Sequence, residues 1–312
     1  MSAMPRTHID FMKWRKVGLV LSTVANLIAL ISLFTQGLNY SIEFTGGTVV
    51  ELAYKQAPDL NDIREKLAHS PFGSSIVQNF GSPQDVLLRL PPSHDKNAKQ
   101  ASAADFTTEL MKVLPPGAEV RRVDFVGPQV GEELAEQGIM ATAIALFGIL
   151  IYVMARFTFK FSVGAIVATV HDVLVIMGFF SISRMNFDLT ALAAVLAILG
   201  YSLNDTVVIF DRIRENFRSM RKAEPIEIMN VSLNQTLSRT ITTHLVTLIT
   251  VLSLVFLGGE MIRSFSIALV IGIFVGTYSS IYVASAMTLA LGASRKDLLP
   301  VQKEGVAIDD RP

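Results

Sequence analysis

The chain has 312 residues, 51% of them hydrophobic and only 17% charged, with 27 basic and 27 acidic side chains in balance. Ordinary soluble domains carry roughly 25% charged residues, and the mean hydropathy here is +0.46, so the composition points to an integral membrane protein. Zero net charge removes any global case for nucleic acid as a partner. The absence of cysteine excludes disulfides, thiolate metal sites and cysteine nucleophiles.

In chain order, a basic segment (1–16) precedes Val17–Thr35, the first run of about 20 apolar residues able to cross a bilayer. A cleaved signal peptide is the competing reading, because Lys13, Arg15 and Lys16 precede the apolar core. That core is long, and no clear small-x-small cleavage site follows it. Residues 36–137 form a loop that reads as a folded domain. VVELAY (49–54) has strand character and DLNDIREKLAH (59–69) helical spacing. SSIVQNF and DVLLRLP read as two strands joined by the turn GSPQ, ADFTTELMKVL as a second helix and AEVRRVDFVG as a last strand. The order β-α-β-β-α-β is that of a ferredoxin-like α+β domain. PPSHDKNAKQASA (91–103), polar with two prolines, reads as a flexible connection inside it. Ahead of the first strand, FTGGT places Gly46 and Gly47 where a tight bend or close approach is expected. No GK[ST] follows to make a phosphate loop.

Five further spans follow: Gly138–Ala155, Phe161–Ser183, Phe187–Phe210, Thr240–Leu257 and Ser264–Leu291. The fold class is thus a membrane protein, a six-helix transmembrane bundle with an α+β domain between its first two helices. Lysine and arginine concentrate in the N-terminus, in residues 156–160, in 211–239 and in the tail (292–312), whereas the opposite short loops hold only Arg184 and Arg263. Both termini are therefore expected in the cytoplasm and the α+β domain on the far side. Within 211–239, Ile213, Phe217 and Met220 fall at spacings of four and three. That pattern fits an amphipathic helix at the cytoplasmic surface, or equally a solvated connecting helix.

Polar residues inside spans are expensive and therefore informative. An ionised Asp at the centre of a membrane helix costs roughly 2.5–3.5 kcal/mol on insertion scales. The third span holds His171 and Asp172, and the fourth Asn204 and Asp205. At the mouth of the fifth, Arg239, Thr243 and Thr247 recur four apart and give one polar face. One reading is a proton path: a carboxylate that binds and releases H⁺, an arginine that favours its ionised form, and hydroxyls that carry water. The other is structural, with buried polar pairs gluing helices together. An intramembrane aspartyl protease is disfavoured, because neither Asp172 nor Asp205 lies in a GxGD-like setting. In the sixth span Ala268, Gly272, Gly276, Ser280 and Ala284, four apart, form a small-residue stripe expected to pack against another helix.

GYSLNDTVVIFDRIRENFR, NVSLNQTLSRT, IEFTGGT, HDV and SSIYVASA, in this order on the chain apart from the early IEFTGGT and HDV, together resemble the SecD/SecF family of protein-export membrane subunits, on its SecF side. The resemblance covers nearly the whole chain. It implies an RND-type half with a periplasmic domain in the bacterial inner membrane, and no enzymatic activity. It also implies SecD as partner, with the SecYEG channel, SecA and the translocating polypeptide, and YajC and YidC as further associates. The driving force implied is the proton-motive force, with no cofactor and no nucleotide site. Carried over by position, the family's proton-relay carboxylate falls on Asp205, its arginine on Arg239 and a threonine on Thr243. Asn204, His171, Asp172 and Thr247 are candidate supports, and Gly272, Gly276 and Ser280 a packing face. In the outer motif Glu43 stands where Asp is frequent, beside Gly46 and Gly47, and His244 stands where a small residue is usual. Two rivals are a subunit of a small-molecule exporter, which calls for larger outer domains and a second six-span half, and a scaffold that only stabilises SecD.

Overall fold

The computed structural model describes residues 8–91, 103–294 and 297. The predicted flexible connection at 91–103 and most of the tail at 292–312 lie outside them. A one-turn 3-10 helix, Phe11–Trp14, starts with the Asp10 carboxylate accepting the Lys13 N–H, and leads into α1 (Arg15–Gln36). Next come β1 (Asn39–Tyr40), the single helical turn α2 (Ile42–Thr45), β2 (Gly47–Tyr54), α3 (Leu60–Ala68), β3 (Ile76–Phe80), β4 (Ser82–Leu90), α4 (Ala103–Val113) and β5 (Ala118–Val126). The last four strands form one antiparallel sheet in the order β3-β4-β2-β5, the ferredoxin-like arrangement that the sequence pattern predicts. Alternation along β2 turns Val50, Leu52 and Tyr54 inward. There they meet Val86, Leu88 and Leu90 of β4, Ile63 and Leu67 of α3 and Leu110 of α4. β4 begins at Ser82, so the hairpin is tighter than the four-residue turn expected.

The remaining spans are α5 (Pro128–Arg156), α6 (Phe159–Ser183), α7 (Leu189–Ser219), α8 (Pro225–Leu257) and α9 (Arg263–Ser279). The two-residue β6 (Asn186–Phe187) pairs with β1 between α6 and α7. α9 continues through a π-helical turn, Ser280–Ala284, into α10 (Ser285–Ala290), with Ser285 Oγ donating back to the Ser280 carbonyl at 2.9 Å. With α1, six helices are long and apolar enough to cross a membrane.

Two boundaries differ from the sequence expectation. α5 starts at Pro128, ten residues before the predicted span, because proline's fixed φ suits a first helical turn. Residues 211–239 are not a separate surface helix either. α7 runs straight on to Ser219 and α8 begins at Pro225, joined by residues 220–224. Ile213 and Phe217 are buried against Ile228, Met229 and Leu233, so that apolar face meets the protein's own core and not a membrane surface.

Half of the apolar window is buried in α6, in α7 and in α9–α10, against 22% in α1, 17% in α8 and 6% in α5. The first three form the centre of the bundle. Close approach there depends on the stripe in α9. A Cβ on Gly272 would lie 2.4 Å from Ile198 Cδ1 of α7, and one on Gly276 would lie 3.0 Å from Ser202. Ser280 continues the same seam through a 2.8 Å hydrogen bond with Thr206.

The α/β domain joins the bundle at the paired glycines. Gly47 has φ +126°, and a Cβ on it would meet the Leu90 carbonyl at 2.4 Å; a Cβ on Gly46 would press on Pro128 at the start of α5. Gly47→Ala is expected to lower the unfolding free energy of the purified protein by about 1–3 kcal/mol, measured by thermal unfolding in detergent. Gly127→Ala, with open space around the new Cβ, is the matched comparison and should change little.

Candidate functional site

Asp205 lies 16 residues into α7, about 24 Å from its start at 1.5 Å per residue, within a hydrocarbon slab of about 30 Å. It is 6% exposed. Facing it from α8 is His244, also buried, with Nε2 only 2.5 Å from Asp205 Oδ2. The approach is a close contact outside hydrogen-bond angles, and neither atom has a hydrogen-bond partner among the described residues. On its other edge His244 Nδ1 contacts Thr277 Oγ1 of α9 at 2.5 Å. The Tyr201 ring lies 5.3 Å from the imidazole, centroid to centroid, and its hydroxyl donates to Thr247 Oγ1 at 3.2 Å.

The residues predicted to assist Asp205 are placed differently. Arg239 is exposed, makes no ion pair among the described residues, and lines a cleft of about 250 Å³ with Asp211, Glu215 and Gln235. Thr243 is exposed, and its hydroxyl donates to the Arg239 and Thr240 carbonyls of its own helix. Thr247 does the same to Thr243. Such back-bonded hydroxyls are already satisfied as donors. Asn204 is exposed and forms no hydrogen bond among the described residues, since neighbours on a helix project about 100° apart. The structure therefore brings Asp205 to α8, but to His244 and not to Arg239. The sequence marked His244 only as an unusual titratable residue beside Thr243; which face of α8 turns inward is set by its packing on α7 and α9.

The second intramembrane carboxylate is the opposite case. Asp172 is 1% exposed and fully engaged: Ser202 and Ser279 donate to Oδ2 at 2.5 and 2.9 Å, and His171 Nδ1 sits 3.0 Å from Oδ1. Those contacts tie α6, α7 and α9 into one cluster. His171 and Asp172 so placed work as a lock between helices.

At its domain-side end α7 is capped twice. Asp188 Oδ1 accepts the Ala191 N–H at 2.7 Å, and Glu43 Oε2, reaching from α2, accepts the Leu189 N–H at 2.6 Å. A carboxylate at a helix N-terminus satisfies an otherwise free donor and opposes the positive end of the dipole. At the other side of the bundle, Asn230 and Asn234 of α8 hold the N-terminal segment. Asn230 Oδ1 accepts the Met12 N–H and Asn234 exchanges two hydrogen bonds with the Ile9 backbone.

Residues 106–294 match the model of the protein export membrane protein SecD/SecF C-terminal family, and residues 31–58 match the SecD/SecF GG motif. The chain belongs to the SecD/SecF family. A protein translocase subunit SecF from Pseudomonas aeruginosa is 46% identical over 97% of this chain and 98% of its own length. One from Escherichia coli O157:H7 is 40% identical over 96% of this chain and 94% of its own. The crystal structure of SecDF, a translocon-associated membrane protein from Thermus thermophilus, superposes with a TM-score of 0.82 at 36% identity. That match covers 93% of this chain and 40% of the SecDF chain. A SecDF structure in a super-membrane-facing form has a TM-score of 0.64 at 37% identity, so the present arrangement of elements is nearer the first.

Membership in SecD/SecF, with SecF-named relatives over nearly the whole chain, makes this a multi-pass membrane protein with a transport role. The GG motif spans Glu43, Gly46 and Gly47, so the family's signature contains the group that caps the Asp205 helix. Glu43→Ala is expected to cost about 0.5–2 kcal/mol and to speed amide exchange at Leu189, read by hydrogen exchange and thermal unfolding. Glu43→Gln keeps an acceptor and should recover part of the loss.

Proposed function

We propose that this chain acts as the SecF-type subunit of a Sec accessory complex. With SecD it uses the proton-motive force to promote protein translocation across the bacterial inner membrane. In this reading both termini are cytoplasmic and the α/β domain is periplasmic, facing the emerging polypeptide. SecYEG and SecA, with YajC and YidC, are the remaining partners the reading implies. It needs no cofactor and assigns no catalysis. One observation carries it: a carboxylate, Asp205, buried at membrane depth without a hydrogen bond, on the helix that the GG motif caps at its outer end.

The relay set is Asp205 with Arg239 and Thr243. Protonated, Asp205 is tolerable in a dry interior; ionised, it calls for a cation. Arg239 is five residues before His244 on α8, which is about 7.5 Å along the axis and about 140° around it. Exchanging one partner for the other therefore takes rotation of α8 as well as a slide. Such a movement would reach the outer domain through α7 and its Glu43 cap.

The free faces support a protein partner for α8. α5 exposes Ile139, Ile144, Phe147 and Ile151, an apolar face suited to lipid. α8 exposes Arg239, Thr243 and Thr250 among its apolar residues, a mixture that fits another subunit better than hydrocarbon.

In proteoliposomes containing the complex with SecD, Asp205→Asn should reduce gradient-driven stimulation of translocation to the ungradiented level while the complex still assembles. Normal stimulation in that variant would sink the relay. The chain has no cysteine, which permits single-cysteine crosslinking. Thr243→Cys and Thr250→Cys should crosslink to SecD, and Phe147→Cys should not; the reverse pattern would move the subunit interface to α5.

A further inference from the structure

We propose that His244 is the proton-sharing partner of Asp205, the two side chains holding one proton between Oδ2 and Nε2 and titrating as a pair. The inference rests on the relay reading above and adds a second titrating group to it.

The hydrogen-bond inventory leads there. In this proposal Thr277 Oγ1 donates its one hydrogen to the Ile273 carbonyl, 2.7 Å away, and accepts from His244 Nδ1, 2.5 Å away, which puts the proton of that ring edge on Nδ1. Nε2 is then either a bare lone pair or a second N–H. It stands 2.5 Å from Asp205 Oδ2, and both atoms are buried with no hydrogen-bond partner among the described residues. Two lone pairs cannot face each other at that separation in a medium that screens little. One of the two therefore carries a proton, as O–H on Asp205 or as N–H on His244. Passing it across breaks one O–H bond and forms one N–H bond, and the pair stays neutral. Because the present angle is off the hydrogen-bond line, a small turn of the imidazole is enough to make or break the transfer geometry.

Net charge explains why a pair serves better than a lone carboxylate. With one proton the pair is neutral and suits hydrocarbon. Without it, one negative charge is left and draws a cation, for which Arg239 is the charged group available on the same helix. The groups around His244 are few. Asp205 and Tyr201 face it from α7, and Thr277 from α9. Asp10, on the N-terminal segment packed against α8, is taken up by Asn230. Among the described residues no other charged side chain pairs with it. Asp172 and His171 belong to the separate cluster with Ser202 and Ser279.

Two groups sharing a proton titrate in two macroscopic steps that belong to the pair. The test uses the SecD-containing complex in proteoliposomes. The protonated-carboxyl infrared band that disappears in Asp205→Asn is followed against pH, with ¹⁵N NMR of the labelled imidazole and gradient-driven translocation. In the wild type both spectroscopic signals should show two transitions. In His244→Gln the carboxyl band should show one, and the half-point of the transport profile should move. Thr277→Val keeps both titrating groups but removes the Nδ1 acceptor, and should shift the imidazole transitions without abolishing them; it also covers the case in which His244→Gln fails to assemble. If His244→Gln or Thr277→Val leaves titration and transport profile unchanged while Asp205→Asn abolishes transport, the relay stands and the histidine proposal is overturned. Transport that survives Asp205→Asn overturns the relay reading and this inference together.

Discussion

A charge inside hydrocarbon must be neutralised by the chain itself, since water is absent there and each unsatisfied group costs several kcal/mol. The two intramembrane carboxylates of this protein meet that demand in opposite ways. Asp172 is surrounded by two hydroxyls and an imidazole contributed by its own helix and two neighbours, and nothing about it is left to change. Asp205 meets one imidazole in an imperfect contact and receives no hydrogen bond among the described residues. The first arrangement holds helices in place. The second leaves a buried carboxylate oxygen without a hydrogen bond among the described residues, the group on which the proposed relay rests.

α7 connects these features. Glu43 caps its first turn, and Ser202 donates to the Asp172 lock. Asp205 and Thr206 follow, the latter bonded to Ser280 at the head of the π turn in the last span. Its far end is held by Asn216, which donates to Ser232 and Gln235 of α8. α7 is thus attached at both ends and along one side. The π turn whose first residue bonds Thr206 adds a locally loosened ladder, a recurrent feature near working sites.

The periphery differs from the centre in the same physical respect. α6, α7 and α9 bury small residues and satisfied polar groups against one another, whereas α5 and α8 leave most of their surface open. For α5 the open surface is apolar and lipid suffices. For α8 it carries Arg239 and the threonine row, which suits the protein partner proposed for it. The matched SecDF chain is much longer than this one, which spans 40% of it.

Much of the architecture was legible in the residues alone. Span number, the α+β character of 36–137 and its strand order follow from hydrophobic period, because burial in lipid or in a sheet face imposes itself on every residue in a run. Asp205 stood out because a carboxylate in a long apolar segment has no cheap explanation, and the GG motif because paired glycines mark backbone that side chains cannot occupy. Other features were decided only by tertiary packing. The partner of Asp205 depended on the rotation of α8, which four-residue spacing of Arg239, Thr243 and Thr247 does not reveal. The same packing turned Asn204 outward, drew Ile213 and Phe217 into the core and set Glu43 on the first N–H of a helix 146 residues away. Period is a property of one segment and can be read along it. Contact between two segments depends on their relative rotation and depth, and those are set only when all the helices pack at once.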